Sequence, residues 1–586
     1  MCGIIGYVGN KKAAPILLEG LRLLAYRGYD SCGIATSTID ELHVKKDVGE
    51  VEKVDAKLDF SQMPGFLGIA HSRWASVGRV TKANAHPHLD CKKGIAVVHN
   101  GTITNYPKLK KMLERKGHVF ISETDSEIIP HLIEDFMNSG RDLKSAAVNA
   151  LKMIEGDYSV LVIMKGFDGI IASRRGLPLV LGVASHGMFA ASDIPAFLKH
   201  TKKVVYLQDN DFVVLKPSNF SVFNLFDMKK ARRRVDSVDW RASEIGKKGF
   251  EHYMLKEIGE QLGVVKRLER SDPSEIKSFA RFLKNADETF LVGCGTSYNA
   301  CLAAKYVFLR VSDFRINPIL ASELVNYLRF ITRKTVVVAL SQSGETADVL
   351  DALKKVKGKC KTIGVVNVKG SSLTRQVDKT FLLNAGPELA VASTKVYAAQ
   401  VCFLSMVAYS LENNYNEGKK NLNYLWNVIY YLTSRTMKNR IKELAFKIKN
   451  TSSIFLVGND SLYPTALEAA LKIKEVSYIH AEGLVGSELK HGPLALIEKG
   501  TPCIFFVEDE SILAAIAEVK ARKGYVIGVS PKNNSFFDFW IKVPSVENLN
   551  SIVQMIPMQL LAYELSVIRG FNPDKPRNLA KSVTVK

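Results

Sequence analysis

The chain has no CxxC pair. Its eight cysteines are scattered at positions 2, 32, 91, 294, 301, 360, 402 and 503, a pattern that fits neither zinc-ligand spacing nor a disulfide framework and suggests a reducing compartment. Long hydrophobic runs are missing too. Stretches such as Val401–Tyr409, which contains a serine, fall far short of the roughly 20 apolar residues that span a bilayer. No basic segment leading into an apolar one opens the chain, so a signal peptide is not expected. These absences predict a soluble, cytoplasmic protein with no membrane partner. The net charge of +21 would suit nucleic acid, yet the lysines are spread along the whole length and the one compact cluster is KKARRR, Lys229–Arg234. Neither interleaved aromatics nor zinc-finger spacing accompanies it, so no nucleic-acid partner is expected. A basic balance also attracts small anions such as sugar phosphates over long range, and that reading ranks first.

What is present is enough sequence for three or four domains, 586 residues of 47% hydrophobic content. In the first third, short apolar runs alternate with turn signals: Gly3–Val8, Phe66–His71, Ile95–His99, Ser159–Met164 and Leu179–Val183. An amphipathic helix is expected over Asp125–Phe136. The layout is mixed α+β, with stacked sheets flanked by helices. Val235–Phe250 reads as a linker. Beyond it the chain repeats itself. FLVGCGTSYNACLAAKY (Phe290–Tyr306) resembles FLVGNDSLYPTALEAAL (Phe455–Leu471), with Gly293 and Gly458 165 positions apart. TVVVAL, ending before Ser341, matches PCIFFV, ending before Glu508, and TIGVVNV matches YVIGVS. A nearly constant offset over three strands implies two copies of one α/β domain, each with a parallel sheet and ligands at the carboxyl ends of its strands. The helical stretch Val401–Asn450 joins the copies, and the tail Asp574–Lys586 is too polar to build a core.

Chemistry begins at Cys2. Removal of Met1 would leave a thiol nucleophile and an α-amine base of pKa about 7.7–8.0 on one residue, the logic of N-terminal nucleophile hydrolases. HSRWASVG (His71–Gly78) offers Arg73, whose guanidinium matches a carboxylate bidentately. HNGTITNY (His99–Tyr106) supplies the Asn100 amide and the Gly101 N–H, the kind of pair an oxyanion hole uses. SETDSE (Ser122–Glu127) presents Asp125, which could hold an ammonium. Read alone, each has an ordinary explanation: a buried cysteine, a surface ion pair, an Asn-Gly turn, a helix cap. In the second half SQSGETADVL follows a strand and opens a helix, placing Ser341, Gln342, Ser343 and Thr346 within six positions, more hydrogen-bonding groups than a cap requires. Lys472 and Glu475 sit three apart on a helix, by default a surface pair. His480 reads as a core or loop histidine, His491 as a surface one and Lys581 as a solvated terminal lysine.

Taken together, CGIIGY, YRGYDSCGIA, HSRWASVG, HNGTITNY and SETDSE closely resemble the class II glutamine amidotransferase domain over roughly residues 2–218. The second half resembles two sugar-isomerase (SIS) domains, expected over 279–418 and 444–576, with the linker at 235–250 and a catalytic tail at 577–586. SQSGETAD, VASTK, KEVSYIHAE, ELKHGPLAL and PRNLAKSVTV extend the likeness to the glutamine–fructose-6-phosphate aminotransferase (isomerising) family over the whole chain. That resemblance implies an α/β and α+β multidomain fold: an N-terminal Ntn-type αββα glutaminase sandwich followed by two α/β/α SIS domains with parallel sheets. It implies that Cys2 attacks the glutamine amide, that Asn100 and Gly101 stabilise the oxyanion, and that Arg73, Trp74, Ser76 and Asp125 bind glutamine, Trp74 as a gate towards an ammonia path. It further implies fructose 6-phosphate held by Ser297, Ser341, Gln342, Ser343, Thr346, Ser393, Lys472 and Ala580, with Lys581 as the Schiff-base lysine, Glu475 as the C1–C2 proton carrier and His491 as the ring-opening group, supplied by a neighbouring subunit of a homodimer. Neither metal nor organic cofactor is expected. Relatives commonly read Thr-His-Gly where this chain has Ser76-Val77-Gly78. The linker lacks the long insertion of eukaryotic relatives, so feedback by a nucleotide sugar is not expected.

A phosphoribosyl-transferring relative would need a pyrophosphate loop with paired acidic residues after a strand, which is not found here. A deglycase-like SIS enzyme lacks the Cys2 domain, and a non-enzymatic sugar-phosphate sensor has no use for Cys2, Glu475, His491 and Lys581 together.

Overall fold

The alternating apolar runs of the first third pair into two antiparallel sheets. The computed structural model describes residues 2–584 except 239 and 241; those two positions of the expected linker, and 585–586 of the tail, lie outside the described residues. The chain divides into two units, Met1–Gly246 with Ser582–Val585, and Lys247–Lys581.

In the first unit, an eight-stranded sheet runs in the order Asp236–Ser237, Lys203–Tyr206, Val180–Ala184, Gly187–Ala191, Gly3–Gly9, Leu67–Arg73, Ser31–Ser37, Leu42–Val48. A six-stranded sheet runs Phe220–Asn224, Asp211–Leu215, Ile170–Arg175, Tyr158–Met164, Ile95–Gly101, His88–Leu89. Because strand side chains alternate between faces, each central strand serves two layers. Ile4 and Val8 meet Ile69, Val98 and Leu161 between the sheets. Ile95 and Val97 point the other way, onto the helices Ile128–Asn138 and Leu143–Met153. The helix Ala13–Leu24 packs on the strand Gly3–Gly9. This is the expected αββα sandwich.

One sequence expectation fails here. Asp125–Phe136 is not one amphipathic helix: Asp125–Glu127 forms a separate turn, and in the helix Ile128–Asn138 every residue from Ile128 to Glu134 is buried. The turn carrying Cys91 and the segment carrying His118 cover the face that would otherwise meet water, which is why His131 and Glu134 are buried on it.

The second unit holds two five-stranded sheets of identical order. The first runs Asn317–Leu320, Glu288–Gly293, Thr335–Ser341, Lys361–Val366, Lys379–Leu382; the second runs His480–Leu484, Ser453–Gly458, Pro502–Phe506, Tyr525–Ser530, Phe539–Lys542. All neighbouring pairs are parallel. Both faces are covered: Val336, Val338 and Leu340 enter one core cluster, Val337 and Ala339 another, which explains why these strands read as unbroken apolar runs. The helix Lys395–Leu411 is buried along its whole length. The helix Asn550–Ile568 is long and apolar enough to cross a bilayer by composition alone, but it is a core helix, packed against the helices Tyr253–Glu269, Arg435–Ile448 and Tyr463–Ser477. Its buried Gln554 and Gln559 interrupt the apolar run; Gln559 accepts a hydrogen bond from Gln261 Nε2 at 2.7 Å.

Candidate functional site

Cys2 precedes the central strand Gly3–Gly9, and the end of the neighbouring strand, Leu67–Arg73, brings Trp74 beside it. The Cys2 Sγ accepts the Trp74 N–H at 3.2 Å and lies 3.3 Å from the Trp74 carbonyl oxygen. Burial pushes the thiol pKa up; the positive chain terminus, the Trp74 amide and Arg73 pull the other way. Asn100 comes from the strand Ile95–Gly101 of the facing sheet, and its Nδ2 donates to the Cys2 carbonyl at 2.9 Å while its buried Oδ1 has no hydrogen-bond partner among the described residues. The strand ends at Gly101 with φ +138°, where a Cβ would stand 2.1 Å from the Asp157 carbonyl oxygen. The Asn-Gly pair is thus a strand end rather than a turn.

Arg73 is not a surface ion pair. It is buried, and it donates to three carbonyls of the loop that follows it: Val77 at 2.5 Å, Gly78 at 3.1 Å and Arg79 at 3.0 Å. Val77 contributes its backbone here. Burial lowers the Arg73 pKa, against the pull of the negative groups of Cys2, Asp30 and Asp125. Asp125 is buried, and its Oδ2 accepts the Ile103 N–H at 2.7 Å. Trp74 is half-buried, edge-on to Tyr29, and Ser76 is exposed. Asp30, which sequence reasoning missed, accepts the Ala75 N–H at 2.7 Å. Behind these groups lie His71, His86, His88 and His99, all buried, with His71 stacked on His86 at 3.9 Å between ring centroids.

In the second unit the polar groups collect at the carboxyl ends of strands. The strand Thr335–Ser341 delivers Ser341, whose Oγ accepts the Gly344 N–H at 2.9 Å and lies 3.1 Å from Thr346 Oγ1. Ser343 Oγ accepts the Glu345 N–H at 3.1 Å, and Thr346 precedes the helix Ala347–Val356. Gly344 has φ +67° and packs so closely on Ser371 that a Cβ would lie 2.0 Å from its Oγ. Gln342 is half-buried beside these hydroxyls. Ser297, in the first turn of the helix Thr296–Val311, accepts from Gln400 Nε2 at 2.9 Å. The buried Ser393 Oγ has no hydrogen-bond partner among the described residues.

The Lys472–Glu475 pair is interior, not superficial. Lys472 Nζ lies 2.6 Å from Glu475 and 3.5 Å from Glu468, with no exposure of its own. It also donates to Thr296 Oγ1 at 3.0 Å, and Asn299 Nδ2 donates to Glu468 at 2.8 Å. The helix of the second copy is therefore stitched to the helix of the first next to Ser297. Burial works against the Lys472 charge, yet Glu468 and Glu475 together hold its pKa above the ordinary lysine range. Lys581 is likewise no solvated tail lysine: its side chain is 5% exposed and its Nζ lies 2.5 Å from the buried Glu388. Burial opposes the Glu388 charge, but Lys581 and the Thr394 N–H hold it below the usual carboxylate range. Ala580 is half-buried alongside. His480 is exposed, its Nδ1 3.3 Å from Ser453 Oγ, and His491 is exposed at the end of the turn Gly486–His491, outside this network.

Glu388, Glu468, Thr296 and Asn299 escaped the sequence reading. Glu468 carried one available signal, its position four before Lys472.

The SIS domain family matches residues 282–410 and 447–569, and the Glutamine amidotransferase domain family matches residues 71–199. The Glutamine–fructose-6-phosphate aminotransferase (isomerizing) of Methanothermobacter thermautotrophicus is 42% identical over 602 residues, and that of Pyrococcus horikoshii 40% over 598, each alignment covering 100% of both chains. Among solved structures, the C-terminal domain of glucosamine-fructose-6-phosphate aminotransferase from Francisella tularensis covers 56% of this chain and 100% of its own length at 31% identity, with a TM-score of 0.51.

Proposed function

The chain belongs to the glutamine–fructose-6-phosphate aminotransferase (isomerizing) family, and from that footing we propose how its residues divide the work. The reaction takes D-fructose 6-phosphate and L-glutamine to D-glucosamine 6-phosphate and L-glutamate. Once Met1 is removed, Cys2 attacks the glutamine side-chain amide with its own α-amine as base. Asn100 Nδ2 and the Gly101 N–H receive the oxyanion, ammonia leaves, and water releases glutamate from the thioester. Arg73 and Asp125 hold the α-carboxylate and α-amine, with Trp74 and Ser76 at the mouth. For Arg73 to grip a substrate, the carbonyls of Val77, Gly78 and Arg79 must yield their hydrogen bonds.

The sugar phosphate rests on Ser297, Ser341, Gln342, Ser343, Thr346 and Ser393. The Lys581 amine adds to C2 of the open-chain ketone and water is lost, giving an imine; Glu388 is placed to take the proton that Lys581 must shed. Ammonia from the Cys2 site displaces Lys581. Glu475, with Lys472 beside it, then takes a proton from C1 and returns one to C2. His491 opens the sugar ring. Its exposure suits a group contributed across a subunit boundary, so a homodimer follows, about twice the 64.9 kDa chain by light scattering. All eight cysteines are free, which suits the cytoplasm.

The observation that carries this reading is the burial of Lys581 against Glu388, which a loose polar tail would not adopt. The test is mass spectrometry of products from fructose 6-phosphate and glutamine labelled with nitrogen-15 in its side-chain amide. Labelled glucosamine 6-phosphate from the parent and none from Cys2→Ala is the expected result. Glutamate without aminated sugar would keep the glutaminase and overturn the acceptor.

A further inference from the structure

Four side chains that the reaction does not use converge in the first unit. Cys91 sits on the turn between the strands His88–Leu89 and Ile95–Gly101, His118 follows the helix Tyr106–Arg115, and His131 and Glu134 lie one turn apart on the helix Ile128–Asn138. One ligand atom from each lies within 4.8 Å of all the others. Cys91 Sγ is 3.7 Å from His118 Nδ1 and 3.4 Å from His131 Nδ1; the two Nδ1 atoms are 3.3 Å apart; Glu134 Oε2 is 3.2 Å from His118 Nδ1 and 3.7 Å from His131 Nδ1.

These edges have a simple geometric source. Zinc bonds of about 2.0–2.1 Å to nitrogen or oxygen and about 2.3 Å to sulfur, at tetrahedral angles, put N···N and N···O edges near 3.3–3.4 Å and N···S edges near 3.6 Å. Hydrogen bonding accounts for the same distances poorly. The thiol and each imidazole Nδ1 can direct at most one proton, whereas both Nδ1 atoms face the sulfur, the carboxylate and one another at once. Convergence of every donor on one point is what a shared cation produces.

The surroundings agree. His131 is 1%, Glu134 4% and His118 9% exposed, while Cys91, on its exposed turn, leaves a way in. The far ring nitrogen of each histidine faces a carboxylate: Glu127 Oε1 lies 3.7 Å from His131 Nε2, and Asp135 Oδ1 lies 3.8 Å from His118 Nε2. Carboxylates behind the histidines are the usual outer shell of a metal site. Glu134 Oε2 is also steadied by the Cys91 N–H at 3.1 Å.

We propose that this unit binds one zinc ion through Cys91 Sγ, His118 Nδ1, His131 Nδ1 and Glu134 Oε2. One thiolate, two imidazoles and one carboxylate form a borderline-soft set suited to zinc and unsuited to magnesium or calcium. Four protein ligands leave no open position, so the ion is structural; on binding, the Cys91 thiol releases its proton to solvent. It ties three separate segments together, and through His131 it steadies Glu127, which accepts the N–H groups of Ile121 and Ser122 just before Asp125. The inferred ion thus lies behind the segment that carries Asp125, without touching substrate.

The test is metal analysis of the purified full-length protein after dialysis, with cobalt substitution as a second readout. The expected result is about one zinc per chain, as a closed four-ligand site holds, with a thiolate-to-cobalt charge-transfer band in the cobalt form. Cys91→Ser should remove the band, and His131→Ala should lower the zinc content at least tenfold. Should His131→Ala fail to fold, Cys91→Ser, at an exposed position, still decides the matter. Protein that carries no zinc and gives no cobalt band on titration, or a Cys91→Ser variant with undiminished zinc, would overturn the proposal.

Discussion

In the first SIS copy the strand Thr335–Ser341 ends in hydroxyls that surround the N-terminus of a ten-residue helix. In the second copy the equivalent strand, Pro502–Phe506, runs into Glu508, Asp509 and Glu510; Glu508 is paired with Arg310 at 3.2 Å, and Asp509 caps the next turn. The second copy instead concentrates its chemistry on the helix Tyr463–Ser477, where Glu468, Lys472 and Glu475 form an interior network. The shared sheet order fixes where side chains can be delivered, and the residues at those addresses decide what is done there. One copy presents hydroxyls at a helix N-terminus and the other a network of one lysine and two carboxylates. The hydrogen bond from Lys472 to Thr296 holds the two groups of side chains next to each other.

The sharpest test of this division is Lys581→Ala. It should abolish amination of the sugar while hydrolysis of glutamine persists, measured as glutamate release without hexosamine; amination that survives would dissolve the assignment. Glu475→Gln should come next, lowering kcat for glucosamine 6-phosphate by about 10²–10⁴-fold with little change in fructose 6-phosphate KM, as loss of a general base does. Ser341→Ala should act the other way round. Losing a hydrogen bond to a charged phosphate is worth about 1.5–3 kcal/mol, so KM should rise by about ten- to hundredfold with kcat largely kept. Ser511→Ala, in the matching loop of the second copy, should leave both constants within about twofold, the scale of ordinary surface changes. An equal rise in KM for Ser511→Ala would break the comparison.

The same contrast extends to the two units under acid. In the first unit burial drives the pKa of His71 down to about 3 and those of His86 and His88 well below the ordinary value. The unfolded chain takes up those protons near pH 6.5, and the folded chain refuses them. Their contribution is therefore complete above about pH 6.5 and declines as pH falls towards about 3, by up to about a decade in the unfolding constant per pH unit per histidine. In the second unit His252 is half-exposed and His480 and His491 are exposed. Calorimetry between pH 7 and 5 should show the glutaminase unit losing stability first; equal shifts in both units would contradict this.

Strand positions were readable because apolar runs buried on both faces leave a nearly uninterrupted signal, and the repeat was readable because the offset between copies hardly changes. The interior polar groups were not. Lys472 and Glu475 have the spacing of a solvent-facing helical pair, and spacing carries no record of which face a neighbouring helix covers. Glu388 follows Gly386 and Pro387 in an unremarkable loop, and its meaning comes only from Lys581, 193 positions later. Cys91, His118, His131 and Glu134 come from three segments with no ligand motif between them, so a search for paired cysteines passes over them. His131 and Glu134 were further disguised by a helix taken to have a wet face.

The helix Asn550–Ile568 also bears on how the protein is made. Its packing partner Tyr253–Glu269 leaves the ribosome roughly 300 residues earlier, which at about 5–20 residues per second is an interval of about 15–60 s. Throughout it, the apolar face destined for Asn550–Ile568 has no permanent cover. The part of the second unit's interior that this helix covers is therefore completed late, and nascent chains stopped short of Asn550 should be clients of the chaperones that shield such surfaces.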